Sequence, residues 1–395
     1  MIRRLLLVVP SAALLLCATP AALGATTTAS AGATTLYAYA AAGATSPTSC
    51  ARTTTTSEQC TLAAALSLAK AGDTVALATP GKVAHYVGNW SVATSGTSSA
   101  APITIKPAPG VTNPVLDGNH GKATGCHTKA CNGSVLIIGS KVHVDISGLT
   151  IQDGNTFNGY GGAISNLVGG TLSVSACTFL SNTALGGGAI YNADYGGTST
   201  LTVSGSTFSG NTANDGGAID NADNGGKGTL TVSGSTFTDN TVGYGPGGAD
   251  IFDGGAIDNA DNVGIGTLTV SGSTFSGNSA RSCTGMCSGG GGAIDNGDDN
   301  GTGTLAVSAS KFSGNSAHYG GAIANGTGTG AVSASMFSVN IAGYGGAIDS
   351  GDSGIGTLAV SASTFSANRA NEDGGAIANG YAPNIRRHGF CGLFP

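Results

Sequence analysis

Apolar and polar residues alternate in short runs along most of this chain, and the runs repeat. Leu201-Thr202-Val203 is followed by Ser206-Thr207-Phe208 and then by Ala218-Ile219, and near-copies recur from Ser147 onward. Alternation with a period of two is the pattern of half-buried β-strands, so each unit predicts three of them: Leu201 to Val203, Ser206 to Phe208 and Ala218 to Asn221. Leu201, Val203, Phe208 and Ile219 are expected inside, Thr202 and Asp220 outside. The tetrapeptide Gly-Gly-Ala-Ile begins at Gly161, Gly187, Gly216, Gly254, Gly291, Gly320, Gly345 and Gly374. A Phe-x-x-Asn follows each of the first seven, the Phe standing at 179, 208, 237, 275, 312, 337 and 365. Successive Phe are 29, 29, 38, 37, 25 and 28 residues apart, and the two long steps contain the insertions 243–253 and 281–290.

Fixed-period self-similarity marks a solenoid. Three short strands per unit predict an all-β fold, a single-stranded right-handed parallel β-helix. Stacked coils put each Phe over the next, and let the Asn of Phe-x-x-Asn bond from coil to coil as an amide ladder. About nine coils at roughly 4.8 Å spacing give a rod on the order of 45 Å long. Ahead of the repeats, Thr61 to Ala71 reads as an amphipathic helix capped by Thr61 and ended by Gly72-Asp73. It would cover the open end of the solenoid, which otherwise exposes unpaired backbone. Strands follow at Thr74 to Ala78, Ile103 to Lys106, Val115 to Asp117, Val135 to Ile138 and Val142 to Ile146.

The termini read differently. Arg3 and Arg4, the apolar run Leu5 to Cys17 and the small residues Ala22-Leu23-Gly24 form a secretory signal over 1–24. The expected organisation is then an extension at 25–59, the helix and irregular first coils at 60–146, the repeated coils at 147–380 and a tail at 381–395. The tail fits no repeat and reads either as an irregular cap or as the mark of a truncated product.

Composition narrows the function. Glycine contributes 68 residues and charged residues 9%, with a net charge of −6. No Lys/Arg stripe exists to neutralise phosphates, which argues against a nucleic-acid partner. An exported chain makes disulfides plausible for three close pairs, Cys50/Cys60, Cys126/Cys131 and Cys283/Cys287. Cys177 stands where other units carry Ser and is expected to be small and buried.

Two constellations could carry chemistry. Asp220, Asp258 and Asp295 each follow Gly-Gly-Ala-Ile, and Asp223, Asp261 and Asp298 stand three residues later. In stacked coils these carboxylates lie about 5 Å apart, and such oxygens suit Ca²⁺, the candidate cofactor. The alternative is that they are solvated turn residues. Tyr160, Tyr319 and Tyr344 each precede Gly-Gly-Ala-Ile and could stack on sugar rings. No catalytic residue stands out.

The pairing of Gly-Gly-Ala-Ile with Phe-x-x-Asn resembles the repeat of the polymorphic outer membrane proteins, which are surface-exposed β-helical passengers. Those proteins also carry a C-terminal translocator barrel, for which this chain has no room. The stretch Cys60 to Gly118, with its AGDTVALATPG, PITIKPAPG and PVLDGN segments, is similar to the first coils of pectate-lyase-like β-helix proteins. These resemblances imply a secreted or cell-surface chain. The expectation is a monomeric, non-enzymatic scaffold for adhesion or contact with an extracellular polysaccharide or cell-surface glycan. The alternative is a polysaccharide lyase or glycoside hydrolase with its site between His85 and Tyr160, and an exposed cluster of Asp, Lys and His there would favour it. A third reading is a passenger fragment without present activity.

Overall fold

The computed structural model describes residues 33–40, 60–78, 84–93, 97–119, 133–156, 159–193, 196–243, 252–280, 289–298, 300–351 and 356–379. They form a parallel β-helix. Three long sheets run the length of the molecule, of 11, 10 and 10 strands, and neighbours in each sheet are equivalent strands of successive coils, paired in parallel. In one unit the strands are Thr198–Ser204, Thr207–Ser209 and Ile219–Asn221, with a shorter one at Thr212–Ala213.

The alternation does what the sequence predicts for the core. Leu201, Val203, Phe208 and Ile219 are all 0% exposed, and each meets its counterpart in the next coil in register. The Phe rings stack from Phe179 to Phe365 with centroids 4.6 to 4.9 Å apart. That spacing is set by the strand separation, so the column follows directly from the register.

Buried corners carry polar residues because turning backbone needs partners. Asn211 donates from Nδ2 to Asn240 Oδ1 at 2.9 Å and to the Phe179 carbonyl at 3.2 Å, while its own Oδ1 accepts the Asn182 N–H at 3.1 Å. This ladder runs from Asn182 to Asn368. A second ladder was not foreseen: Asn166, Asn192, Asn221, Asn259, Asn296 and Asn325 are joined by Nδ2 to Oδ1 bonds of 2.7 Å. Its sequence signal was the Asn two residues after the Ile of Gly-Gly-Ala-Ile, present in every repeat but the one with Ser350. A third column is Ser206, Ser235, Ser273 and Ser310, each hydroxyl oxygen accepting the N–H of the residue one coil earlier. Cys177 heads that column, is buried, and burial pushes its thiol up to about 11.

The structure revises the first coils. The helix spans Leu62–Leu68, with the Thr61 hydroxyl accepting the Ala64 N–H at 3.2 Å, and not Thr61 to Ala71. It stops early because Asp73 turns the chain, accepting the Lys70 and Thr34 N–H groups at 2.8 Å each. Leu62, Ala65 and Leu66 pack on the first rungs of the solenoid. The stretch read as an extension contributes a rung, since Thr35–Tyr39 pairs with Thr74–Ala78, so the longest sheet has 11 rungs where about nine coils were expected. His85–Val87, Trp90–Val92 and Thr150–Gln152 are further strands, too short and unrepeated to have been legible.

Candidate functional site

The strand after each Gly-Gly-Ala presents one side chain away from the core, and that row was expected to face solvent. In register it reads Ser165, Tyr191, Asp220, Asp258, Asp295 and, after Ala324, Asp349. The expectation fails: Asp220, Asp258 and Asp295 are 1%, 0% and 2% exposed. Asp223 and Asp261 are also buried, and Asp298 is half-buried.

The glycines explain this. Gly216 and Gly254 sit at φ +57° and +64°, and a Cβ on Gly254 would lie 2.6 Å from the Asp258 nitrogen. Only glycine can take that left-handed hairpin so close to the following strand. The chain therefore doubles back, and the residues ahead of Gly-Gly-Ala-Ile lie over the outward face of the strand behind it. These covering residues form a ladder of their own. Asp215 bridges to Gly186, Phe252–Asp253 pairs with Gly289–Gly290, and Tyr319 bridges to Gly290 and Tyr344. The carbonyls of Asp215 and Asp253 accept the N–H of Gly187 and Gly216 at 2.9 Å.

Asp253, which sequence reasoning did not single out, is 0% exposed and belongs to this cover. Its Oδ1 accepts the Gly290 N–H at 3.0 Å, and its Oδ2 accepts no hydrogen bond. One oxygen from each of Asp253, Asp295 and Asp298 lies within 4.8 Å of the others. Neither oxygen of Asp258 accepts a hydrogen bond. Burial, and then the carboxylates of Asp298, Asp295, Asp215 and Asp261, hold the Asp253 carboxyl well above its ordinary range. Burial, then Asp261, Asp220, Asp295 and Asp253, do the same to Asp258. Asp223 and Asp261 also serve their own turns: Asn262 donates its N–H to Asp261 Oδ1 at 2.6 Å and its Nδ2 to Asp223 Oδ1 at 3.1 Å. The signal for Asp253 was present, since the position before Gly-Gly-Ala-Ile also holds Asp at Asp215 and Asp373.

Of the tyrosines, the structure brings two together. Tyr319 and Tyr344 stack at 5.5 Å, His318 sets its edge against both at 4.5 and 5.6 Å, and the Tyr344 hydroxyl donates to Glu372. Burial lowers the His318 pKa, with Glu372 pulling it back up. Tyr160 lies apart, on the far side of Gly186, Asp215, Asp253 and Gly290 in the covering ladder, and stacks on Tyr191 at 4.5 Å. All three are half-buried.

In the first coils His85 Nε2 lies 2.7 Å from Asp117 Oδ2, which also accepts from Gln152 Nε2 at 3.1 Å. Cys60 is buried; its expected partner Cys50, and Cys126, Cys131, Cys283 and Cys287, lie outside the described residues. Among the described residues no helix is long and apolar enough to cross a membrane.

Residues 176–193, 205–222 and 272–297 match the family described as the Chlamydia polymorphic membrane protein repeat. A crystal structure of alginate lyase from Paenibacillus sp. str. FPU-7 is similar with a TM-score of 0.46 at 16% identity, over 80% of this chain and 95% of that one. No curated protein matches. The chain is a parallel β-helix protein, and three stretches of its coils are similar to the polymorphic membrane protein repeat.

Proposed function

We propose that this chain is a secreted or cell-surface scaffold that contacts glycan or a partner surface along its solenoid, without catalysis. The observation that carries the reading is the outward face of the 11-stranded sheet. Thr200, Thr229, Thr267, Thr304, Thr329 and Thr357 stand in one register column along it. Thr202, Thr231 and Thr269 form a second column beside it. Every one of these side chains is exposed or half-buried. The face is long, flat and rich in hydroxyls, which both donate and accept hydrogen bonds as sugar hydroxyls do. The stacked pair Tyr319 and Tyr344, with Glu372 at its edge, adds an aromatic contact of the kind that packs on sugar rings. The surface location rests on the repeat match, on the apolar leader read over 1–24 and on three cysteine pairs suited to an oxidising compartment.

One observation favours the enzymatic alternative: His85 and Asp117 form a pair that could pass a proton, and His85 is exposed. The experiment separates the two readings. The purified chain is passed over immobilised neutral and acidic polysaccharides, and the eluate is assayed for new chain ends. Retention without new ends is expected. New chain ends that vanish in His85→Ala would replace the scaffold by an enzyme. Failure to bind any polysaccharide or whole cells would remove the scaffold reading.

A further inference from the structure

We propose that Asp253, Asp295 and Asp298 form a Ca²⁺ site that ties the covering strand Phe252–Asp253 of one coil to the outward face of the next. The site is independent of the glycan-contact reading.

Geometry comes first. Oxygens from the three residues lie within 4.8 Å of one another. Two ligands 2.3 to 2.6 Å from one Ca²⁺ can be at most about 5 Å apart, so a single ion can touch all three. The donors are all carboxylate oxygens, without thiol or imidazole, which suits a hard cation and not zinc. A set built from protein carboxylates fits Ca²⁺ better than Mg²⁺, which keeps much of its water.

The second observation is the unpartnered buried oxygen. Asp253 is wholly buried, and its Oδ2 accepts no hydrogen bond, although it belongs to a trio of converging acids. Asp258, in the same cluster, is equally buried with neither oxygen bonded. Buried charge persists only when paired, hydrogen-bonded or metal-bound. The charged neighbours felt by Asp253 are carboxylates, each acting in the same direction as burial. Among the described residues no cationic side chain acts on Asp253, and a bound cation would supply the counter-charge. Gly290 completes the argument. A Cβ at that position would run into the Asp295 carboxylate and approach Asp253 Oδ1 at 3.1 Å, so the absence of a side chain keeps the space between these acids open.

The site has a structural consequence. Asp253 belongs to the covering layer, whereas Asp295 belongs to the main ladder in register with Asp258. An ion held between them fastens cover to body.

The test uses the full chain, stripped with a chelator and then titrated at neutral pH with Ca²⁺ or Mg²⁺, by calorimetry and thermal unfolding. Ca²⁺ is expected to bind at least tenfold more tightly than Mg²⁺ and to raise the melting temperature. Asp253→Asn removes a buried charge, so it should melt higher than the parent in chelator and lose the Ca²⁺-dependent rise. Asp298→Asn should weaken Ca²⁺ binding at least tenfold, and Asp239→Asn, an exposed residue of the Phe strand turns, should leave binding unchanged. No Ca²⁺ binding by the parent chain, or binding undiminished in both Asp253→Asn and Asp298→Asn, would overturn the site.

Discussion

A carboxyl group in this molecule reports how its surroundings are built. Asp239 lies exposed on a turn, while Asp258 is sealed beneath the covering layer, Asp253 is buried within that layer, and both are surrounded by acids of the same sign. Both buried groups hold their protons more tightly folded than unfolded. Their contribution to stability is fully present below the ordinary value of 3.8 and is lost as pH rises through the raised folded values. In chelator the melting temperature should therefore fall as pH rises from about 4 to about 8, a trend read by circular dichroism. Asp258→Asn should flatten that slope, because it removes one of the two groups that must ionise. A flat profile in the parent chain would mean that these carboxylates are already neutralised by something other than protons.

At the scale of the strand and its turn, the two glycines of Gly-Gly-Ala-Ile fix the layering, and their neighbours show how little room there is. A Cβ on Gly255 would meet backbone of Ser279 at 2.7 and 2.8 Å and the Gly292 carbonyl. Backbone cannot step aside, so Gly255→Ala should displace the cover and cost several kcal/mol, on the order of a buried overpacking. Gly234 makes the contrast. It sits at φ +53° with nothing within 4 Å of a Cβ, so Gly234→Ala should cost only the left-handed penalty of about 1 kcal/mol. Urea unfolding of the two variants decides the matter, and equal losses would contradict the close-approach account. The Phe column offers a second measurement. Phe237 is 0% exposed between Phe208 and Phe275, so Phe237→Ala should cost about 3–5 kcal/mol.

The same scale shows what was legible. Strand periodicity, the Phe column and the Phe-x-x-Asn ladder could be read because each depends on one coil and its copy. Leu201, Val203, Phe208 and Ile219 lie where alternation puts them. The burial of Asp220, Asp258 and Asp295 could not be read this way, because alternation says which face of the strand a residue occupies and not whether another layer covers that face. The cover is made by residues five and six positions earlier, folded over by a glycine hairpin, and its acid, Asp253, repeats only irregularly. Tyr319 and Tyr344 were found as a recurring position, yet Tyr160 at the same position stands far off, since four rungs of the ladder lie between it and Tyr319. Position in the repeat gives the column, and coil number gives the distance along it.

The whole molecule is nearly one-dimensional, each coil touching only its neighbours, so stability should vary along the axis. At the N-terminal end, the helix Leu62–Leu68 seals the first rungs with Leu62, Ala65 and Leu66. Toward the other end the inward column loosens: Leu358, Val360 and Phe365 are only partly buried, and Ile377 is 40% exposed. Local unfolding is drawn from regions with few buried apolar contacts, so amide exchange should be fastest in Thr357–Ser361 and Thr364–Ser366 and slowest in Lys227–Ser233 and Ile265–Ser271. Mutation should report the same gradient. Phe365→Ala should cost about 1–2 kcal/mol, well below Phe237→Ala, since less area returns to water. Buried Asp253, Asp258 and Asp295 fall in the central coils, where the Phe and Asn columns are unbroken on both sides. A buried acid cluster at a fraying end would simply open and hydrate; in the middle of the rod it can persist only because its neighbours on each side hold it closed. If exchange instead proves uniform along the chain, the coils unfold as one cooperative block, and the Phe365 and Phe237 variants should then lower the melting temperature in the ratio of their stability losses with no change in exchange pattern.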